Sequence, residues 1–298
     1  MYPAPFRYHR PDSLDAAIKL LERLGDMAKP IAGGQTLVPM LKLRMGDVND
    51  LIDIGRLPGL AEIQIGDDEA RIGALATHAT IAASPLAERI PSVRDCAGGI
   101  ADLQVRSRGT IGGSISTGDP STDWAPFLHT LRAVVEIQGP AGQREVAIDD
   151  FVSDAYTTVL KTGELVTAIR FPLPPPRSGG AYIGYKRAAP AYPTCAVGIQ
   201  LTLDEAGVCS AARCVLSAVA STPVTSDAAD AALVGTGVTE EDLKAAGELI
   251  IAAADPPEDV RGSADYKRSV LRGLFLQAGT KARQRATGET IEGSHSYV

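Results

Sequence analysis

The chain has 298 residues, 45% of them hydrophobic and 22% charged, with 29 basic against 36 acidic side chains and a net charge of −7. That length predicts two or three units with real cores, and an acidic balance with no basic run argues against a nucleic-acid or anionic-membrane surface. The opening MYPAPFRYHRPDS lacks the layout of a signal peptide and no apolar run reaches membrane-spanning length, so a cytoplasmic location is the default expectation.

Ser13 is placed as the N-cap of a helix whose stripe is Leu14, Ile18, Leu21 and Leu24, closed by Gly25. A short strand follows, running through Pro30-Ile31-Ala32 into Gly33-Gly34. The pattern then predicts a short helix over 37–44, a buried strand over 50–57 and a hairpin over 61–74. Helices are expected near 77–83 and 92–101, then a second glycine pair at Gly112-Gly113, a helix from Trp124 to Leu131 and a hairpin over 133–148. A strand over 164–173 runs into PLPPPRSGG, whose three prolines and two glycines read as a linker. Beyond it, 181–188, 194–207 and 208–220 read as antiparallel strands, followed by helices over 225–233, 239–254 and 263–285 and a mobile tail. The fold class is α+β, a larger front domain and a smaller three-stranded antiparallel sheet covered by helices.

Cys96, Cys195, Cys209 and Cys214 are scattered, without a C-x-x-C pair, which favours buried thiols over a metal or iron–sulfur site. His9, His78, His129 and His295 stand far apart, so no metal or triad constellation is legible and no metal of its own is expected.

The glycine pairs sit in PIAGGQTLVP (30–39) and TIGGSISTGDPSTDW (110–124). Gly-Gly permits positive φ and lets backbone N–H groups crowd round an anion, and small polar side chains follow each pair. A helix start behind the first would favour phosphate, and two such loops could close on one pyrophosphate. The plainer alternative, two tight turns, stays open. Neither stretch matches G-x-G-x-x-G or G-x-x-x-x-G-K-[ST].

PIAGGQTLVPMLKLR and QVRSRGTIGGSISTGDPSTDWAP resemble the two signature loops of flavin subunits in the molybdenum hydroxylase family, and LIDIGRLPGL, ATHATIAASP and RGSADYKRSVLRGLFLQA are similar to family segments too. The resemblance covers nearly the whole chain in order. It implies the FAD-binding fold of the vanillyl-alcohol oxidase (PCMH) type over 1–176, with subdomains about 1–56 and 57–176. A family-specific C-terminal domain over 177–288 and a flexible tail over 289–298 complete it.

The resemblance further implies that Ala32, Gly33, Gly34, Gln35 and Thr36 line the FAD diphosphate region and that Thr110, Ile111, Gly112, Gly113 and Ser114 form the matching second loop. Many relatives carry Asn where this chain has Ser114. Thr117 and Asp123 match positions contacting the ribityl hydroxyls, with a helix N-cap as the rival role for Asp123. Lys186 corresponds to a basic residue near the flavin ring and Tyr192 to an aromatic over one flavin face, with an exposed strand lysine and ordinary packing as the alternatives. No catalytic side chain is implied. A bulky residue at Gly33 or Gly112 is expected to intrude on phosphate space, and with no histidine or cysteine evident beside the loops the FAD is expected to be non-covalent.

The implied role is electron transfer. A large molybdopterin subunit oxidises the substrate, a small [2Fe–2S] subunit relays electrons, and the FAD of this chain passes them to an external acceptor, the whole being a dimer of heterotrimers. A stand-alone FAD-dependent oxidoreductase and a non-enzymatic nucleotide-binding protein are the other classes compatible with the residues.

Overall fold

The computed structural model describes residues 2–188 and 191–291. The chain begins with β1 (Arg7–His9), α1 (Leu14–Leu24), β2 (Ala28–Ile31), α2 (Leu37–Leu43) and β3 (Asp50–Asp53). These make a three-stranded parallel sheet in the order β1-β3-β2. The Ser13 hydroxyl accepts from the Ala16 N–H, Gly25 closes α1 at φ +65°, and Ala17, Ile18 and Leu21 face a core shared with Ile52, Ile54 and Leu165. The strand expected over 50–57 stops at Asp53, because the chain turns at once, with the Leu57 N–H donating to the Ile54 carbonyl.

Next come β4 (Ile63–Ile65), β5 (Glu69–Gly73), α3 (His78–Ala82), α4 (Pro85–Arg89), α5 (Pro91–Gly99), α6 (Leu103–Arg106), α7 (Ile111–Ser116) and α8 (Trp124–Thr130). They are followed by β6 (Val134–Gly139), β7 (Gly142–Ala147), α9 (Ile148–Phe151), β8 (Val152–Asp154), β9 (Thr157–Thr158) and β10 (Leu165–Pro172). Five of these strands form an antiparallel sheet in the order β4-β5-β10-β6-β7. Strand β10 lies at its centre, which explains why LVTAI is an unbroken buried run rather than an alternating one. Trp124, Phe127 and Phe151 fill the core between this sheet and the helices.

The last region holds β11 (Ser178–Tyr185), β12 (Cys195–Leu203), β13 (Cys209–Ser217), β14 (Val224–Thr225), α10 (Asp227–Leu233), α11 (Glu240–Ala252) and α12 (Ala264–Ala286). Its antiparallel sheet has four strands, not three: beyond Ser217 the chain doubles back and pairs Val224 and Thr225 with Leu216 and Val215. Two residues are too few to show an alternating pattern. The SGG of the expected linker is also strand. A Cβ on Gly179 would stand 2.1 Å from the Ala282 carbonyl oxygen, so the glycine admits α12 against β11 rather than loosening a joint.

The two regions are bolted together at a buried charge. Asp95, fully buried on α5, accepts from Arg285 Nη1 at 2.6 Å, Arg285 Nη2 at 3.1 Å and Lys281 Nζ at 3.1 Å, all from α12. All four cysteines are free and buried. No helix among the described residues is long and apolar enough to cross a membrane. Of the tail expected over 289–298, residues 292–298 lie outside the described residues.

Candidate functional site

The first glycine pair is a loop. After β2 the chain passes Ala32 and Gly33 to Gly34, which sits at φ +73° and so favours glycine. A Cβ on Gly33 would lie 2.0 Å from the Arg108 carbonyl oxygen, so Gly33 is dictated by the approach of the 108–109 backbone. Among the described residues no acceptor meets the N–H groups of Gly33, Gly34, Gln35, Thr36 or Leu37. Adjacent donors of this kind at the entrance to a helix are the groups that could meet an anion. Pro39 falls in the first turn of α2, where its missing N–H costs nothing, and the Gln35 side-chain amide donates to the Gly33 carbonyl.

The second pair is not a loop. Gly112 and Gly113 lie inside α7, whose N-cap Thr110 accepts from the Gly113 N–H through Oγ1. Ile111 points away into the core and is fully buried. A Cβ on Gly112 would meet Ala74 at 2.6 Å, whereas one on Gly113 would meet only Thr110 Oγ1, at 3.0 Å. The Gly112 N–H is already given to the Ala74 carbonyl. Helix α7 therefore supplies a close-packed floor and one open patch at Gly113, and few free donors. The expectation that Gly33 and Gly112 reserve space for phosphate is corrected: at both, a side chain would strike protein first.

Both segments line one cavity of about 550 Å³. Of the residues singled out above, Ala32, Gly33, Gly34, Gln35, Thr36, Thr110, Gly112, Gly113, Ser114, Thr117, Asp123 and Tyr192 lie on its wall, and Ile111 and Lys186 do not. The Ser114 hydroxyl is 2.7 Å from the Thr122 hydroxyl, so the shorter side chain finds a protein partner, and Thr117 Oγ1 donates to the Gly113 carbonyl.

Asp123 sits at the head of α8 without capping it. Its carboxylate instead accepts from Lys186 Nζ at 3.1 Å and from the Tyr182 hydroxyl at 3.3 Å. Lys186 also donates to the Gly99 carbonyl at 2.6 Å and is largely buried, neither an exposed strand lysine nor part of the cavity wall. Tyr192 is half-exposed at the mouth, with the Arg261 guanidinium 5.9 Å from its ring centre; burial raises its phenol pKa, and the charge of Asp119 adds to this.

Among the wall residues that sequence reasoning missed are the apolar Ile54, Leu75, Ile100, Val105 and Leu165, and the polar His78 and Asp119. His78 belongs to a segment quoted for its resemblance, but its setting depends on a partner 46 residues away. Its Nδ1 accepts from the Trp124 indole N–H at 2.9 Å, and burial, with the charge of Arg106 secondary, pushes its pKa from 6.5 down to about 4. A histidine thus stands in the cavity after all.

Residues 4–174 match the family described as the FAD binding domain in molybdopterin dehydrogenase, and residues 180–282 match the CO dehydrogenase flavoprotein C-terminal domain. The chain is 39% identical to the carbon monoxide dehydrogenase medium chain of Afipia carboxidovorans, over 96% of this chain and 99% of that one. It is 35% identical to the 6-hydroxypseudooxynicotine dehydrogenase complex subunit alpha of Paenarthrobacter nicotinovorans, over 98% and 100% respectively. A crystal structure of the Cu,Mo-CO dehydrogenase contains a chain that superposes with a TM-score of 0.92 at 38% identity, covering 96% of this chain and all of that one.

Proposed function

This chain belongs to the family of FAD-binding medium subunits of molybdenum hydroxylases, and on that premise we propose that its cavity holds FAD within a complex with a large molybdopterin subunit and a small [2Fe–2S] subunit. The observation that carries this is the run of free N–H groups at Gly33–Leu37 facing, across one cavity, the side-chain-free patch at Gly113. That donor set suits an anionic diphosphate, and the apolar wall of Ile54, Leu75, Ile100, Val105 and Leu165 suits flat aromatic rings.

When bound, FAD supplies the redox chemistry that takes electrons from the iron–sulfur subunit and hands them to an external acceptor. The protein binds and orients. Ala32, Gly33, Gly34, Gln35 and Thr36 would hold the diphosphate against the surface formed by Thr110, Gly112, Gly113 and Ser114, while Ile111 contributes by anchoring α7 in the core. Thr117 and Asp123, on the same wall, would meet the polyol chain, and Tyr192 would cover a ring face. Lys186 acts through Asp123, fixing its carboxylate and neutralising part of its charge.

We assign residues 1–176 to a two-part fold of the vanillyl-alcohol oxidase type and 177–288 to the C-terminal domain. The small parallel sheet of β1–β3, the five-stranded antiparallel sheet and the proline run at 174–176 support that division. We further propose a cytoplasmic location for the complex.

Acid denaturation of the purified chain, followed by chromatography of supernatant and pellet, tests the cofactor. FAD in the supernatant at one per chain is expected; flavin remaining with the pellet, FMN in the supernatant, or no flavin in either fraction after FAD is supplied overturns the reading.

A further inference from the structure

The His78 imidazole lines the cavity, yet neither the family match nor the glycine segments give it a task. Its environment fixes which nitrogen carries the proton. An indole N–H only donates, so Nδ1, 2.9 Å from Trp124 Nε1, must present its lone pair. Trp124 is fully buried in the core and cannot turn away. In the neutral ring the proton is therefore on Nε2. That atom has no hydrogen-bond partner among the described residues, and its ring belongs to the cavity wall.

Gly109 keeps it open. A Cβ at that position would stand 2.7 Å from Nε2 and 2.9 Å from Cδ2, covering the nitrogen. The ring is held from behind as well, since the His78 backbone N–H donates to the Gly109 carbonyl and Thr77 caps α3. The same cavity wall carries the apolar Leu75, Ile100 and Val105. A donor so placed has no charge to offer a phosphate, and the nearby Arg106 guanidinium opposes its gaining one.

We infer that the Nε2–H of His78 is a fixed hydrogen-bond donor to an uncharged acceptor atom, a carbonyl oxygen or ring nitrogen, of the bound flavin nucleotide. This rests on the FAD reading above. It makes His78 a binding and orienting residue, locked in one tautomer by Trp124 and given access by Gly109.

The full-length chain, stripped of flavin and titrated with FAD while flavin fluorescence is followed, provides the test. His78→Phe keeps a flat ring and removes the donor, and its dissociation constant for FAD should rise about tenfold. His78→Gln places an amide N–H near the Nε2 position and should stay within about threefold of wild type, although it loses the Trp124 bond just as the Phe variant does. A His78→Phe protein that binds FAD as tightly as wild type overturns the proposal, as does equal loss in both variants. Should His78→Phe fail to fold, nitrogen NMR of histidine-labelled wild-type chain decides. An Nε2-protonated ring whose Nε2 resonance moves on FAD addition supports the inference, and an Nδ1-protonated ring, or an unmoved resonance with FAD bound, defeats it. Flavin retained covalently on His78 after denaturation also defeats it, since a substituted Nε2 has no proton to give. A wild-type chain that takes up no FAD overturns the cofactor reading itself, an outcome distinct from uptake without a His78 effect.

Discussion

At Gly33-Gly34 the chain leaves a strand, passes through one left-handed residue and presents five N–H groups without acceptors among the described residues. At Gly112-Gly113 it is already helical, and the N–H groups of Gly112, Gly113 and Ser114 are given to Ala74, to the Thr110 side chain and to the Thr110 backbone. Two stretches of the same composition thus divide the labour: the first offers donors, and the second offers close packing and an absence of side chain. Letters that look like one motif twice encode different physics because their surroundings differ. One sits at the end of a strand and the other behind a threonine cap with Ile111 and Ile115 buried beneath it.

The sharpest way to break that division is at Gly33. Gly33→Val puts a branched side chain where the Arg108 carbonyl lies, and at least about 3 kcal/mol of stability should be lost together with FAD binding. Denaturant unfolding reads this, and a variant with wild-type stability would show that the 33 and 108 segments are not wedged together.

His78, beside the backbone that leads into the second segment, gives a pH signature of similar size. Its folded pKa lies below its unfolded one, so the unfolded chain binds the extra proton between about pH 6.5 and 4. Its contribution to stability is therefore present above pH 6.5 and lost as pH falls, by up to about 3 kcal/mol near pH 4. Comparing unfolding of flavin-free wild type and His78→Gln across that range isolates it; parallel curves would mean the ring titrates normally.

Within α7 the contrast narrows to neighbours. Gly112→Ala should cost about 1–3 kcal/mol by striking Ala74. Gly113→Ala, facing the cavity, should change stability by less than about 1 kcal/mol, since alanine's helix propensity offsets the tight approach to Thr110. FAD affinity should fall in Gly113→Ala all the same. If calorimetry and FAD titration rank the two variants in the same order, the assignment of floor and open patch is wrong.

What could be read from the residues were features stated within a few positions. Ser13 and Gly25 bracket α1 as their types require, Thr239 and Asp242 form a capping box, and the hairpin of β6 and β7 turns where Pro140 stands. Helix α7 was hidden because two adjacent glycines are poor helix formers, a local cost of roughly 2 kcal/mol that burial of Ile111 and Ile115 overrides. The cavity wall was half legible. The glycine segments announce themselves, but Lys186 turning to Asp123 across 63 residues, and His78 to Trp124 across 46, are products of the fold that no local pattern records.

The Asp95 carboxylate has a consequence for synthesis. It is buried on α5, among the first hundred residues, while its counter-charges, Lys281 and Arg285, stand close to the end of the chain. A nascent polypeptide can gather most of the front core as it emerges, but α5 must keep its carboxylate hydrated, or protonated, until α12 has followed it. The order in which the ribosome delivers the halves is therefore not the order in which they mature: the front is born first and sealed last. A polypeptide cut short between α11 and Lys281 would hold the cavity-lining residues but leave the α5 carboxylate with neither of its cations.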